Sequence, residues 1–257
     1  MATHPDPAVL YSDIATRGGL AAALQSLAHE GGFSVSATPT ASRPLLAAGV
    51  ESRLPHRRQL AVHAWAVERR WSIRGEEAVA GAALIEGDTA DLAQVARAAR
   101  AWQEGAALTD INRAAPFVHL TGRFEVPDGD PVRLAESEWA SLRKGARERD
   151  IWPAYQALIE AAYAEPTLRS LYPFTSHWAL RFSTTTRPRL THTGPWLLAD
   201  VVERGYTVSE GFPDSGLLAH TATAQEAVAA AVRHLPRGLG PVTYGAIDGE
   251  NERGTAS

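Results

Sequence analysis

Between Tyr172 and Pro188 the chain reads Tyr-Pro-Phe-Thr-Ser-His-Trp-Ala-Leu-Arg-Phe-Ser-Thr-Thr-Thr-Arg-Pro, which gathers an imidazole, two guanidinium groups and a run of hydroxyls into one short stretch. Strand alternation places His177, Ala179, Arg181 and Ser183 on one face and Trp178, Leu180 and Phe182 on the other. The second set reads as core. The first presents three polar groups about 7 Å apart. An imidazole titrating near neutrality can act as general acid or base, a guanidinium holds an anion or polarises a carbonyl, and a hydroxyl completes a small polar cleft. His177, Arg181 and Ser183 are therefore the candidate catalytic residues, with Thr184, Thr185, Arg187 and Tyr172 as candidate substrate-binding residues. A solvated strand face has the same alternation, so a plain surface reading stands beside the site reading.

Other chemistry is scarce. His63 lies in an apolar run beside Trp65 and reads as a hydrogen-bonded core residue. His119 shares an alternating face with Arg123 and Glu125 and could join a polar cleft, whereas His192 falls in a Thr-His-Thr-Gly loop. His220 and His234 sit near element ends, where a histidine needs no function. No pair of ligands is spaced as a zinc motif, so no metal is expected. The chain has no cysteine, and Lys144 is its one lysine. Thiol nucleophiles and thiolate clusters are thereby excluded, and the Arg-Lys-Gly-Ala-Arg context of Lys144 matches neither a Schiff-base site nor a P-loop. Gly32-Phe-Ser-Val-Ser lacks the closing glycine of a nucleophile elbow, and Asp214-Ser215-Gly216 is a turn. Gly238 to Gly245 has neither dinucleotide spacing nor a following helix and is expected to end the last helix and turn the chain. No cofactor is expected, and an active site would rest on His, Arg, Asp, Glu, Tyr, Ser and Thr.

The elements that must position these groups follow from periodicity. A first helix runs from Leu20 to the Gly31-Gly32 stop. Strands are expected at 33–38, 60–67, 71–74 and 79–86, and Thr89-Ala90-Asp91 opens a helix through Trp102. Residues 117–126 have strand character, Pro127 to Pro131 is a turn, and 136–147 is a polar helix. Ile151, Trp152, Tyr155, Leu158, Ile159, Ala162 and Tyr163 form a helical stripe read as core. Strands at 172–174, 177–183, 196–202, 206–210 and 217–220 precede a helix over 224–235 capped by Thr223. The strands come in runs, which argues for α+β rather than a doubly wound nucleotide fold. The expectation is two lobes of short antiparallel meanders, each covered by helices, at 17–126 and 137–245, with a flexible tail at 246–257. The likeness of Thr89-Ala90-Asp91 to Thr223-Ala224-Gln225 suggests a repeat, although any capped alanine-rich helix would produce it.

The 257 residues carry 25 basic and 29 acidic side chains, a net charge of -4, with the arginines spread along the chain. Nucleic acid is therefore not an expected partner. His56-Arg57-Arg58 and Arg69-Arg70 read as solvated strand ends. No leader or membrane-spanning run is seen, so no membrane partner is expected and the cytoplasm is the expected location. The arginine and alanine bias suggests an actinobacterial type of source.

The 172–188 string, Gly194-Pro195, the run Thr221-Ala-Thr-Ala-Gln-Glu-Ala-Val-Ala-Ala-Ala-Val-Arg-His-Leu-Pro236, and Gly240-Pro-Val-Thr-Tyr-Gly245 together resemble the actinobacterial DUF6193 family. The likeness covers residues 150–245, and the first 130 residues show no matching motif. Members of that family are commonly labelled natural product biosynthesis proteins. The resemblance implies that context and carries over no catalytic residue. Two readings stay open. One is an accessory, cofactor-independent acid-base enzyme acting on a small molecule or modified peptide. The other is a non-catalytic binding, adaptor or immunity-like protein whose partner belongs to the same pathway. The oligomeric state is not legible.

Overall fold

The computed structural model describes residues 6–79, 81–148, 152–200, 205–211 and 216–246. Ile151, the 214–215 part of the Asp214-Ser215-Gly216 turn, the end of the strand expected at 196–202, and residues 247–257 of the expected tail lie outside them. The fold is α+β, and the chain divides into two units, one up to Thr121 and one from Gly122.

The first unit begins with α1 (Pro7–Leu10), α2 (Ser12–Thr16) and α3 (Leu20–Glu30), followed by β1 (Ala37–Pro39), β2 (Ala47–Val50), β3 (Leu60–Ala64), β4 (Trp71–Glu76) and β5 (Ala83–Thr89). Then come α4 (Leu92–Gln103), α5 (Leu108–Ala114) and the two-residue β6 (His119–Leu120). The strands pair in sequence order as one six-stranded antiparallel meander. Alternation decides which face is covered. Leu60, Val62, Trp71, Ile73 and Ile85 enter one core with Leu20, Leu24, Val95, Ala99 and Trp102 of α3 and α4. Gly75 permits the closest approach, because a Cβ there would lie 2.6 Å from the Trp102 ring. The opposite face carries His63 and Arg74, both exposed, so β3 is covered on one face and His63 is not the core residue that its apolar neighbours suggest. Arg57 departs the other way. It is 4% exposed, stacks 4.7 Å from the Trp102 ring centre and donates to the Ala106 carbonyl at 2.8 Å, so it is no solvated strand end.

The second unit contains α6 (Pro131–Arg147), α7 (Pro153–Ala164), α8 (Pro166–Arg169), β7 (Tyr172–Ser176), β8 (Ala179–Ser183), β9 (Thr185–Pro188), β10 (His192–Ala199), β11 (Tyr206–Ser209), β12 (Leu217–Thr221), α9 (Ala224–Arg233) and β13 (Thr243–Gly245). Its main sheet has the order β12-β11-β10-β8-β7, all antiparallel. Leu180, Phe182, Leu197 and Val208 pack against Leu158 and Ile159 of α7 and Ala227 and Ala231 of α9. β9 leaves the meander and pairs in parallel with β13, so the glycine-rich segment after α9 supplies a strand as well as a turn.

The two capped helices are not equivalent. In α4 the cap is Asp91, which accepts from the Ala93 amide at 2.9 Å, while Thr89 accepts from the Asp91 amide two residues earlier. In α9 Thr223 itself is the cap and forms a capping box with Glu226. The aligned Thr-Ala pairs thus do different work, which removes that support for a repeat. Among the described residues no helix is long and apolar enough to cross a membrane.

Candidate functional site

The hairpin β7–β8 decides the fate of the polar row. Ser176 pairs with Ala179, leaving His177 and Trp178 as a two-residue loop with φ of 51° and 69°. A two-residue hairpin loop with both central residues at positive φ follows the right-handed twist of the flanking strands, even where neither residue is glycine or asparagine. The strand expected over 177–183 is therefore shorter. His177 lies at the loop, where Nδ1 is 3.2 Å from Ser176 Oγ, and does not alternate with Arg181. Trp178 is 48% exposed instead of buried in the core, with its ring edge-on to Trp152 and Tyr155 at 5.7 and 6.2 Å.

Beyond the loop the alternation resumes. Leu180 and Phe182 enter the core, and Arg181 projects from the face that α7 and α9 do not cover. Its guanidinium carbon lies 3.8 Å from the Trp196 ring centre and 4.9 Å from that of Phe174, the residue paired with it across β7. Arg181 Nη2 donates to His192 Nδ1 at 2.7 Å, and the His192 ring stacks on Phe174 at 5.0 Å. A guanidinium has no acceptor, so Nδ1 must accept and the His192 proton must sit on Nε2. Burial, and then the Arg181 charge, hold this imidazole below its ordinary value. Burial alone lowers Arg181. Among the described residues no carboxylate is within ion-pair reach of Arg181. The imidazole beside Arg181 is thus His192, the first residue of β10. Sequence alternation missed it because the contact crosses strands.

Ser183 lies at the far end of β8 and is fully buried. Its hydroxyl donates to the Thr185 carbonyl at 2.6 Å and accepts from the amides of Thr185 and Thr191 at 3.1 and 2.9 Å. Thr185 Oγ1 donates to the Arg189 carbonyl and accepts from the Thr191 amide, both at 2.8 Å. The Thr184 amide donates to Thr191 and the Thr184 carbonyl accepts from Thr243. Ser183, Thr184 and Thr185 thus stitch the excursion through β9 back onto β10 and β13. Arg187 is exposed and precedes a cis proline.

Tyr172 takes part in a separate cluster. It is 1% exposed, and its hydroxyl donates to Glu138 Oε2 at 3.1 Å. Glu138, on α6 and 4% exposed, receives a two-pronged contact from Arg123 at 2.7 and 2.8 Å. Burial first, and then the Glu138 carboxylate, push the Tyr172 hydroxyl far above the usual phenol range, against the pull of Arg187 and Arg123. Arg123 therefore faces Glu138 and does not extend a polar strand with His119, since β6 ends at Leu120.

In the first unit, a groove of about 380 Å³ lies on the open sheet face between His63, Trp65, Arg74, Glu86, Asp88 and His119. Its acids are engaged: Asp88 contacts Arg70, and Glu86 lies 3.7 Å from Arg74. No group of three or more histidine, aspartate or glutamate side chains able to hold a metal occurs among the described residues.

The hairpin, the Arg181 cluster and the Tyr172–Glu138 contact all fall in one stretch that a family model matches. No curated protein and no solved structure matches the chain. Residues 133–246, less than half of the chain, match the model of DUF6193, a family of unknown function, and it is this stretch, from α6 through β13, that is similar to that family.

Proposed function

We propose that the protein is a cytoplasmic accessory protein of actinobacterial natural product biosynthesis, and that its second unit recognises an anionic group of a small molecule or peptide on the β7–β8–β10 face. The biosynthetic context rests on the label commonly given to members of the family that residues 133–246 resemble. The recognition chemistry rests on one observation: Arg181 is held by the Trp196 and Phe174 rings and by His192, with no carboxylate among the described residues to neutralise it. A guanidinium fixed on aromatic faces keeps donors for a bidentate contact while losing little freedom on binding. A neutral His192 with its proton on Nε2 adds a donor on the same face. This favours binding over catalysis by His177, Arg181 and Ser183, because Ser183 is spent on backbone groups and His177 sits at the loop. The acid-base reading would draw on His192 in place of His177.

The test compares the folded wild type with Arg181→Met by titrating benzoate against benzamide, followed by the indole resonance of Trp196. The carboxylate should move that resonance in the wild type and leave the variant unchanged, and the amide should act on neither. Equal responses to acid and amide, or a response that survives in Arg181→Met, would remove Arg181 from the recognition chemistry.

A further inference from the structure

The two larger sheets have four edge strands, and three of them are blunted. β1 is three residues long and ends at Pro39, β6 has two residues, and β7 carries Pro173 and is tied to α6 through Tyr172 and Glu138. Short strands and prolines are the usual guards of a sheet edge, whose outward N–H and C=O groups otherwise pair with another chain. The fourth edge, β12, reads Leu-Leu-Ala-His-Thr, with no proline, lysine, arginine or acid, and its first residue, Leu217, is 65% exposed. Leu218 is bulged out of the β11 register, but Ala219, His220 and Thr221 pair regularly with Val208, Thr207 and Tyr206. Among the described residues no strand lies beyond β12.

The helix beside this edge says what covers it. Ala227, Val228, Ala230 and Ala231 turn α9 into the core, which leaves Glu226, Ala229 and Arg233 as an exposed stripe at i, i+3 and i+7. The stripe faces the edge strand: with His220, Thr221 and Ala222 it lines an open groove of about 470 Å³. Glu226 accepts from the Thr223 amide at 3.1 Å, which fixes its carboxylate, and among the described residues neither Glu226 nor Arg233 has an ion-pair partner. Opposite charges thus flank the small Ala229 almost symmetrically, three residues before it and four after it. A two-fold axis beside Ala229 sets Glu226 against Arg233 of a second copy twice over, and the same axis, perpendicular to the sheet, runs two β12 strands antiparallel. A peptide of arbitrary sequence has no such match built in.

We propose that β12 and the Glu226–Ala229–Arg233 stripe of α9 pair two copies of this chain, joining their five-stranded sheets edge to edge with two Glu226–Arg233 ion pairs across the seam. One short strand and one helical stripe make a small interface, so the dimer is weak and reversible. Arg181 lies on β8, on the face that α9 does not cover, so the reading is independent of that site.

The test follows the mass of the full chain by sedimentation from micromolar to millimolar concentration, with hydrogen exchange of the β12 amides alongside. The wild type should pass reversibly from one chain to two, and the β12 amides should exchange more slowly as it does. Arg233→Glu sets acid against acid at both contacts and should raise the dissociation constant about tenfold or more, and Leu217→Lys, a charge at an exposed edge position, should also weaken pairing. Glu226→Arg should weaken self-association in the same way, whereas its equimolar mixture with Arg233→Glu should form a heterodimer, because both contacts are then of opposite sign. A wild type that stays one chain at millimolar concentration overturns the proposal, including one that takes an extended peptide on β12 instead. A dimer that Arg233→Glu and Leu217→Lys leave as tight as before overturns this surface, and a mixture of the two folded charge variants that does not associate overturns the antiparallel pairing.

Discussion

Arg123 and Arg181 both serve the β7–β8 hairpin, but their surroundings differ in kind. Arg123 reaches a 4% exposed carboxylate that also accepts from Tyr172, so a partly buried guanidinium and a buried phenol both bond one buried carboxylate. Arg181 meets two aromatic rings and an imidazole, and no acid among the described residues. In the first cluster the buried charge is the Glu138 carboxylate, and the bonds it receives from Arg123 and Tyr172 mark a device that holds α6 to β7. In the second cluster the charge is positioned by rings and an imidazole with no described carboxylate beside it, which is the arrangement the proposed anion recognition draws on.

Mutation should separate the two clusters sharply. Glu138→Gln removes the buried carboxylate that both Arg123 and Tyr172 bond and should cost about 3–5 kcal/mol in urea unfolding. A cost below about 1 kcal/mol would mean that the cluster is not a structural pair. Tyr172→Phe should cost less, about 1–2 kcal/mol, because Glu138 keeps Arg123 and only one buried hydrogen bond is lost. Arg181→Met, in contrast, should change stability by no more than about 1 kcal/mol, the scale of a partly exposed cation–π contact, while eliminating the carboxylate response. A large stability loss here would make Arg181 a second structural arginine and erase the contrast.

The pH dependence sharpens the same point. His192 has a folded-state value below its unfolded one, so under mildly acidic conditions the unfolded chain binds more protons than the native state. Its contribution to stability is therefore complete above the ordinary histidine value of about 6.5 and declines as pH falls below it. Urea midpoints measured from pH 7 to pH 5 should fall in the wild type, and by less in His192→Gln. An identical slope in both would show that the Arg181–His192 contact carries no protonation cost. The smallest effect is expected at the hairpin tip. His177→Asn, placing a residue that tolerates left-handed backbone at φ 51°, should stabilise by a few tenths to about 1 kcal/mol. A large loss of stability would show that the imidazole holds the loop.

Much of the scaffold was legible in one dimension. The runs of short strands announced two meanders, and the sheet orders β1 to β6 and β12-β11-β10-β8-β7 are such meanders. The stripes of α3, α4 and α7 were legible because helical burial repeats along the chain itself, and α9 was legible from its Thr223 cap. The site was legible only in part. Arg181 was found because alternation within β8 is local. His192, Trp196 and Glu138 were not joined to their partners, because those contacts run across strands and between helix and sheet. His63 was misread for the same reason: an apolar run does not show which of its faces a helix will cover.

Sequence by itself thus determined the chemical inventory, with no thiol, one lysine and many arginines, and the periodicities that assign residues to strand or helix. It also set the resemblance of the C-terminal stretch. Tertiary structure decided which arginine meets an acid and which meets rings, which hydroxyls are consumed by backbone amides, and where the polar row is broken by a two-residue loop. The division has a physical reason. Periodicity is a property of neighbouring residues, whereas neutralisation and hydrogen-bond satisfaction depend on register between strands and on which helix covers which face.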